Sequence, residues 1–339
     1  MDAALPTSIR RIAVVCPSWV GDSVMCTPLL RALREQRPEA LIALIARRNI
    51  EEVLRGLPFC DAILASDMKG TFGAVRIARA VRQSQAQAVV LLPNSFRSAM
   101  GARLSGVPIR IGYDRDGRGA MLTHKISPES TDLPVSLLDY YQRLGCFVLG
   151  VDCIDPRLEL ATSAEDEAAA DTHLKGVRSP FVVLNPGANR PDKRWPAERF
   201  AHVADRLVKA HNVSIVVSGS PAEMEILQAI ESAMEHPMTN LVKSGVRLGS
   251  LKTIIRRAAL LITNDTGPRH MAAAFGTPTV TLFGPTDHRW TTLHNTRERI
   301  LLAEPFLPEE LVADRHAKAC TIDKIATGDV LAVANDLLG

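Results

Sequence analysis

Short unbroken apolar runs alternate along the chain with longer stretches in which apolar residues recur every three or four positions. The runs predict strands buried on both faces, and the stretches predict amphipathic helices. In the first half, strands are expected at Arg11–Cys16, Leu41–Ala46, Ala62–Leu64, Ala88–Leu92 and Ile109–Gly112. Helices are expected between them at Ser23–Gln36, Ile50–Gly56, Thr71–Ser84 and Ser95–Ser105. A second series follows an extended Asp155–Leu160 and an Ala- and acid-rich helix over Ser163–Lys175, with Ser163 as its N-cap. It sets strands Phe181–Asn185, Ser214–Ser218, Leu241–Lys243, Leu260–Thr263 and Thr279–Phe283 among helices Pro196–His211, Ala222–Met234, Ser250–Ala258 and Pro268–Phe275. Asp323–Leu338 reads as a closing helix.

Strand–helix alternation with unbroken apolar strands implies parallel sheets covered on both faces. The expected fold class is α/β, as two doubly wound, Rossmann-like domains. A chain of 339 residues also exceeds the roughly 250–300 at which a single core stops growing. The expected boundaries are a first domain over 1–158, a linker over 159–178 and a second domain over 179–321. The final helix, 322–339, is expected to pack back on the first domain. Ligands in such folds sit at the carboxyl ends of the strands, here expected in a cleft between the domains.

Charge refines this picture. The formal net charge is only +3, which excludes a generic nucleic-acid coat. Residues 76–125, however, hold nine Lys and Arg against two Asp. Either an anionic ligand lies near that face or the arginines cover solvated helices. No apolar run approaches the ~20 residues needed to span a bilayer, and Met1–Arg11 has no apolar signal core, so a cytoplasmic protein is expected. The six cysteines form no Cys-x-x-Cys pair and the histidines are scattered. Free thiols in a reducing compartment, and no structural metal, are the expectation.

Four loops carry candidate chemistry. After the strand at Leu260, Thr263-Asn-Asp-Thr-Gly267 leads into a helix expected to begin at Pro268. Proline suits the first helical position, and the helix end offers free N–H groups to an anion, most plausibly a phosphate. An ordinary capped turn has the same local form. Asn185-Pro-Gly-Ala188 runs into Lys193-Arg-Trp-Pro196, where Lys193 and Arg194 could neutralise a diphosphate, or the loop could simply pack Trp195. In Ser218-Gly-Ser-Pro-Ala-Glu223 the acid could take ribose hydroxyls or only favour a helix dipole. Pro17-Ser-Trp-Val-Gly-Asp22 leaves Asp22 at the mouth of the first strand, as an N-cap or a general base. Neither a Gly-x-Gly-x-x-Gly fingerprint nor a P-loop is present, which argues against a dinucleotide-dependent oxidoreductase, the competing enzyme reading of the same folds.

These segments, in this order, resemble the ADP-heptose:lipopolysaccharide heptosyltransferases of glycosyltransferase family 9. Pro17–Asp22, Leu92-Pro-Asn-Ser-Phe-Arg-Ser98, Asn185–Ala188 with Lys193–Pro196, Thr263–Gly267 with His270, and Phe283-Gly-Pro-Thr286 carry the resemblance. It extends over roughly residues 9–290 and is most marked for heptosyltransferase II. Pro268, Arg269, Asn189 and Arg190 depart from the family pattern.

The resemblance implies GT-B architecture, two Rossmann-like domains facing across a cleft. It implies inverting, metal-independent transfer of heptose from ADP-heptose to the inner core of lipopolysaccharide, with no cofactor. Asp22 would be the catalytic base. Lys193, Glu223, Asp265, Thr266, Gly267, His270, Gly187 and Ala188 would bind the donor. The anionic acceptor would lie on Arg97, Arg118, Asn94 and Ser95, with peripheral contact at the inner membrane surface. A related ADP-sugar, another glycan acceptor, or a non-catalytic nucleotide-sugar-binding relative are the alternatives. Residues 304–321 match no pattern.

Overall fold

The computed structural model describes residues 3–129, 133–303, 307, 308 and 310–339. The chain divides into two units between Ala161 and Thr162. The first holds β1 (Arg11–Val15), α1 (Val20–Met25), α2 (Thr27–Gln36), β2 (Leu41–Ala46), α3 (Arg48–Leu54), β3 (Ala62–Ala65), α4 (Gly73–Gln83), β4 (Ala88–Leu91), α5 (Phe96–Ser105), β5 (Ile109–Tyr113), β6 (His124–Ile126) and α6 (Leu137–Leu149). Its strands form one sheet in the order β3-β2-β1-β4-β5-β6, every pair parallel. The order reverses between β1 and β4, where Val14 stands beside Val90. The loops that leave the carboxyl ends of these two strands diverge to opposite faces and open a crevice.

The second unit repeats this plan with α7 (Ala164–His173), β7 (Phe181–Asn185), α8 (Ala197–His211), β8 (Ser214–Val217), α9 (Met224–Ala233), β9 (Met238–Asn240), α10 (Leu248–Arg257), β10 (Leu260–Asn264), α11 (Gly267–Phe275), β11 (Thr279–Phe283), β12 (Glu298–Leu302) and α12 (Thr327–Leu338). Its parallel sheet runs β12-β11-β10-β7-β8-β9, with the reversal between β7 and β10. Both sheets bury apolar side chains on each face. Val15, Val89 and Leu91 pack with Ile77, Val81 and Ala99, and Val182, Leu184 and Ile262 pack with Phe200, Leu207 and Val330. A fully buried Val or Leu contributes about 1.5–3 kcal/mol relative to exposure, so these continuous strands supply much of the driving force.

Several expectations change. The first helix starts at Val20, not Ser23, and breaks at Cys26 before α2. Ser23 Oγ and Thr27 Oγ1 each donate 2.7 Å bonds back to Trp19 O and Val24 O, and Pro28 can only sit in a helix's first turn. β6, α6 and β12 were not expected at all, and the ninth strand lies just before Leu241 rather than over Leu241–Lys243. For α6 the pattern is present, with Leu138, Tyr141, Leu144 and Val148 buried at helical spacing.

The expected linker is not one. Ser163 caps α7 in a reciprocal capping box with Asp166, and the buried Lys252 of α10 reaches Asp166 at 3.3 Å. The final helix also departs from expectation. Val330 and Ala334, one turn apart on α12, enter the core of the second unit, and Asn335 pairs with His211 at 2.8 Å. The buried Trp195 indole needs an acceptor and finds it in Ile325 O at 3.0 Å, which ties this end of the chain to the second unit. Of the unassigned segment, residues 304–306 and 309 lie outside the described residues. Its later part folds onto the loop after β11, where Asp314 accepts from Asp287 N and Trp290 Nε1, each at 3.0 Å.

Candidate active site

In the first unit the crevice between β1 and β4 receives two loops. The β1 loop ends at Trp19, which is the N-cap of α1, so Asp22 stands inside the first turn and is not the cap. Its carboxyl is pushed up to about 6 by burial, partly offset by a bond to its own backbone N–H. The charge it can carry raises its neighbours in turn. Tyr141 and Cys26, already lifted by burial, are lifted further by the Asp22 carboxylate. An acid with a near-neutral pKa at a topological switch point has the poise of a general base.

The β4 loop presents Pro93 to Arg97. Ser95 caps α5 through the Ser98 N–H at 3.3 Å. Asn94 Oδ1 accepts from Tyr140 OH at 3.1 Å and from Arg118 Nη2 at 3.2 Å, and Tyr140 stacks on Tyr113 at 3.7 Å. Arg97 is exposed, with one 3.4 Å contact to Met68 O. Arg118 corrects an expectation. It is wholly buried and donates to Tyr113 O, Pro93 O, Ser98 Oγ and Asn94 Oδ1. Buried, and with four of its five N–H donors engaged inside the unit, it braces Asn94. Sequence could not distinguish bracing a loop from binding a ligand, because both use the same cation.

Most of the basic stretch has also been used up. Arg76 pairs with Asp67 at 3.2 Å and Lys125 with Asp114 at 2.7 Å, while Arg82 and Arg110 bond backbone carbonyls. The cysteines are all free thiols, with Cys16, Cys26 and Cys320 buried and Cys153 exposed.

In the second unit the loops after β7, β8 and β10 are laced together by side chains that sequence reasoning had not singled out. Asn185 ends β7 and gives its Nδ2 to Ser218 Oγ at 3.0 Å, while its Oδ1 accepts from Thr266 Oγ1 at 3.0 Å. Asn264 ends β10, donates to Pro186 O at 2.7 Å and accepts from Trp195 N at 3.3 Å. Asparagine is disfavoured in strands, so a buried Asn at the last position of two adjacent strands was the available signal. Within this frame Ala188 is buried, and its carbonyl accepts from Arg194 Nε at 2.9 Å.

Helix α11 begins at Gly267, which puts Pro268 at the second helical position instead of the first. Thr266 is the extended N-cap, but its hydroxyl is turned to Asn185 and Thr263, so no side chain caps the helix. Its orphan N–H groups and partial positive charge face the crevice mouth. Lys193 Nζ lies 2.7 Å from Asp265 Oδ2, both mostly buried. His270 is buried and lowered to about 3 by burial, then by Arg269 and against Asp265, so it is neutral. Its Nδ1 has no partner among the described residues.

Glu223 uses one oxygen, Oε2, to accept from Ser220 N at 2.7 Å and Ser220 Oγ at 2.8 Å. Any Cβ on Gly187 would collide with this carboxylate, so glycine here permits the β7 and β8 loops to approach. Arg269, one of the four departures from the family pattern, is wholly buried. It forks onto Glu298 of β12, meets Thr291 Oγ1 at 2.9 Å and lies over the Phe283 ring at 5.0 Å.

The structure thus gathers Gly187, Ala188, Lys193, Glu223, Asp265, Thr266, Gly267 and His270 at one sheet edge. It sets Asp22, Asn94, Ser95 and Arg97 on the edge of the other unit. The family pattern of glycosyltransferase family 9 (heptosyltransferase) matches residues 74–318. The chain belongs to this family. It is a family 9 glycosyltransferase, and its two Rossmann-like units have the α/β architecture of GT-B enzymes. Lipopolysaccharide heptosyltransferase 2 of Salmonella typhimurium is 28% identical over 86% of this chain and 87% of its own length. A glycosyl transferase family 9 structure from Veillonella parvula superposes with a TM-score of 0.84 at 24% identity, covering 99% of each chain. The E. coli ADP-heptose lps heptosyltransferase II superposes with a TM-score of 0.80 at 24% identity, covering 97% of this chain and 98% of that one. At these identities the two structures speak for the fold. Among the described residues, no helix of this family 9 chain is long and apolar enough to cross a membrane.

Proposed function

We propose that this family 9 enzyme transfers heptose from ADP-heptose to the inner core of lipopolysaccharide, with inversion and without a required metal. The observation that carries the reading is Asp22, a carboxyl raised to about 6 at the switch point of the first sheet. The relatives named lipopolysaccharide heptosyltransferase supply the substrate class.

In this reading the second unit holds the donor. The diphosphate sits over the uncapped start of α11, against Thr266 and Gly267, and shares the Lys193 ammonium with Asp265. Glu223, with Oε1 directed to Gly187, takes ribose hydroxyls beside Ala188. Neutral His270 offers its open Nδ1 to the phosphate or the sugar without adding charge. The first unit holds the acceptor through Arg97, Asn94 and Ser95, with Arg118 and Tyr140 fixing the loop. The setting is the cytoplasmic face of the membrane that anchors the acceptor.

The reaction is one displacement. The acceptor hydroxyl oxygen forms a bond to the anomeric carbon as the bond from that carbon to the phosphate oxygen breaks. The hydroxyl proton passes to Asp22, and ADP leaves with the bonding electron pair. Attack opposite the leaving group inverts the anomeric centre. Charge developing on ADP meets the α11 N–H groups and Lys193, which are already in place.

Two measurements check this. ADP should be released from ADP-heptose only when a heptose-deficient core acceptor is present, and the product anomer should be opposite to the donor's. Use of UDP- or GDP-sugars alone, or ADP binding with no turnover on any acceptor, would overturn it. Gly187→Ala, which forces the Glu223 carboxylate aside, should raise the Kd for ADP by about tenfold or more while the protein stays folded. Unchanged affinity, read by calorimetry, would remove Glu223 and Gly187 from the nucleotide site.

A further inference from the structure

Between Asp67 and Asp114 the chain has no acidic residue and seven basic ones. This stretch builds α4 and α5, which run side by side in the same direction. Gly73 lies against the Arg97 side chain, Gly101 against Ile77, and Arg82 donates to Ser105 O at their far ends. The buried side of α4 is taken by Ile77, Ala78, Ala80 and Val81. Its exposed stripe carries Val75, Arg76, Arg79 and Arg82 at helical spacing, with Phe72 as the residue that opens the helix.

A solvated basic face would hold its apolar residues inside. Here Phe72 is 64% exposed and Val75 56%, and on the neighbouring helix Phe96 is 48% and Leu104 45%. Arg79 and Arg103 are exposed and have no acidic partner among the described residues. Asp67 stands at the edge of this face, already paired with Arg76 at 3.2 Å. Exposed aromatic and aliphatic side chains set among arginines that outnumber the carboxylates are the composition of a peripheral membrane face. Water-exposed rings gain by entering the headgroup region, while arginines pair with lipid phosphates.

We propose that α4 and α5 dock this enzyme on an anionic phospholipid bilayer. The inference rests on the proposed function only in that a lipid-anchored acceptor gives such docking a use. Its test needs no acceptor and no turnover, so the two stand or fall separately.

The full chain should float with vesicles of phosphatidylcholine and phosphatidylglycerol, far less with phosphatidylcholine alone, and should be released by high salt. Arg79→Glu with Arg103→Glu should lower the bound fraction by about tenfold, and Val75→Ser with Leu104→Ser should lower it with the salt dependence retained. Neither pair belongs to the proposed base, donor or acceptor residues, and both variants should keep the wild-type Tm. Equal flotation with neutral vesicles, or unchanged flotation of the charge-reversed variant, would overturn the proposal. So would a self-association lost in these variants while flotation stays intact, which would make the face a contact between copies of the chain.

Discussion

Asp22→Asn should lower kcat by about a thousandfold, since a positioned base contributes roughly 10²–10⁴ in rate, and should leave the Kd for ADP unchanged. The asparagine keeps the shape of the side chain and loses only its ability to take a proton. In the wild type, kcat/KM should fall below a pH of about 6, where the free-enzyme carboxyl becomes protonated. The same residue makes a second, opposite prediction for stability. Its value in the folded protein, about 6, lies above the ordinary 3.8, so folding favours the protonated form. That favourable contribution is complete below pH 3.8 and is lost as the pH rises through 6. The Asn variant should therefore melt higher than wild type at pH 8, with the difference shrinking towards pH 4. A gain in stability coupled to a loss of rate is expected of a half-buried catalytic carboxylate, and not of a helix cap. Normal transfer by the Asn variant would remove Asp22 from the chemistry.

The second large effect concerns Arg269 and Glu298, which form a buried pair behind the proposed donor residues. Arg269→Leu should cost about 3–5 kcal/mol in urea unfolding, because it leaves the Glu298 charge buried beside apolar side chains. Adding Glu298→Gln removes that charge and still gives Thr281 an acceptor for its hydroxyl. The double variant should recover most of the loss, although it restores no salt bridge. If it is as unstable as the single variant, the pair matters through packing on Phe283 and not through charge. Arg269 also lies 3.7 Å from Asp265, so this pair connects the β12 strand to the residue that holds Lys193.

Much of the architecture was legible because apolar runs are local. Strands such as Phe181–Asn185 and Thr279–Phe283 are buried on both faces, and a residue buried on every side must be apolar whatever its neighbours. Two of the edge strands, β6 and β12, were not legible for the same reason. His124–Ile126 and Glu298–Leu302 are partly exposed, so their sequences mix polar and apolar residues without a clear period. The division of the chain was misjudged where burial depended on a distant partner. The Ala- and acid-rich segment after Ser163 joins the second unit because Lys252, almost ninety residues later, needs Asp166. The closing helix stays with that unit because its apolar stripe fits beside α8.

The candidate site divides in the same way. Composition and order alone determined that the chain has two Rossmann-like units, that Gly- and Asn-bearing loops leave the strand ends, and that Asp22 stands at the first of them. These follow from short-range pattern, since strand, turn and helix signals lie within a few residues of one another. Only the tertiary structure decided what each cation does. Arg97 remains exposed, Arg118 is engaged by carbonyls and side chains of its own unit, Arg269 is paired with Glu298, and Lys193 is held by Asp265. It also decided that Asp22 titrates near 6 and that His270 is neutral, because both values come from burial. A side chain's charge is written in the sequence, but its desolvation and its partner are set by residues brought together from far along the chain.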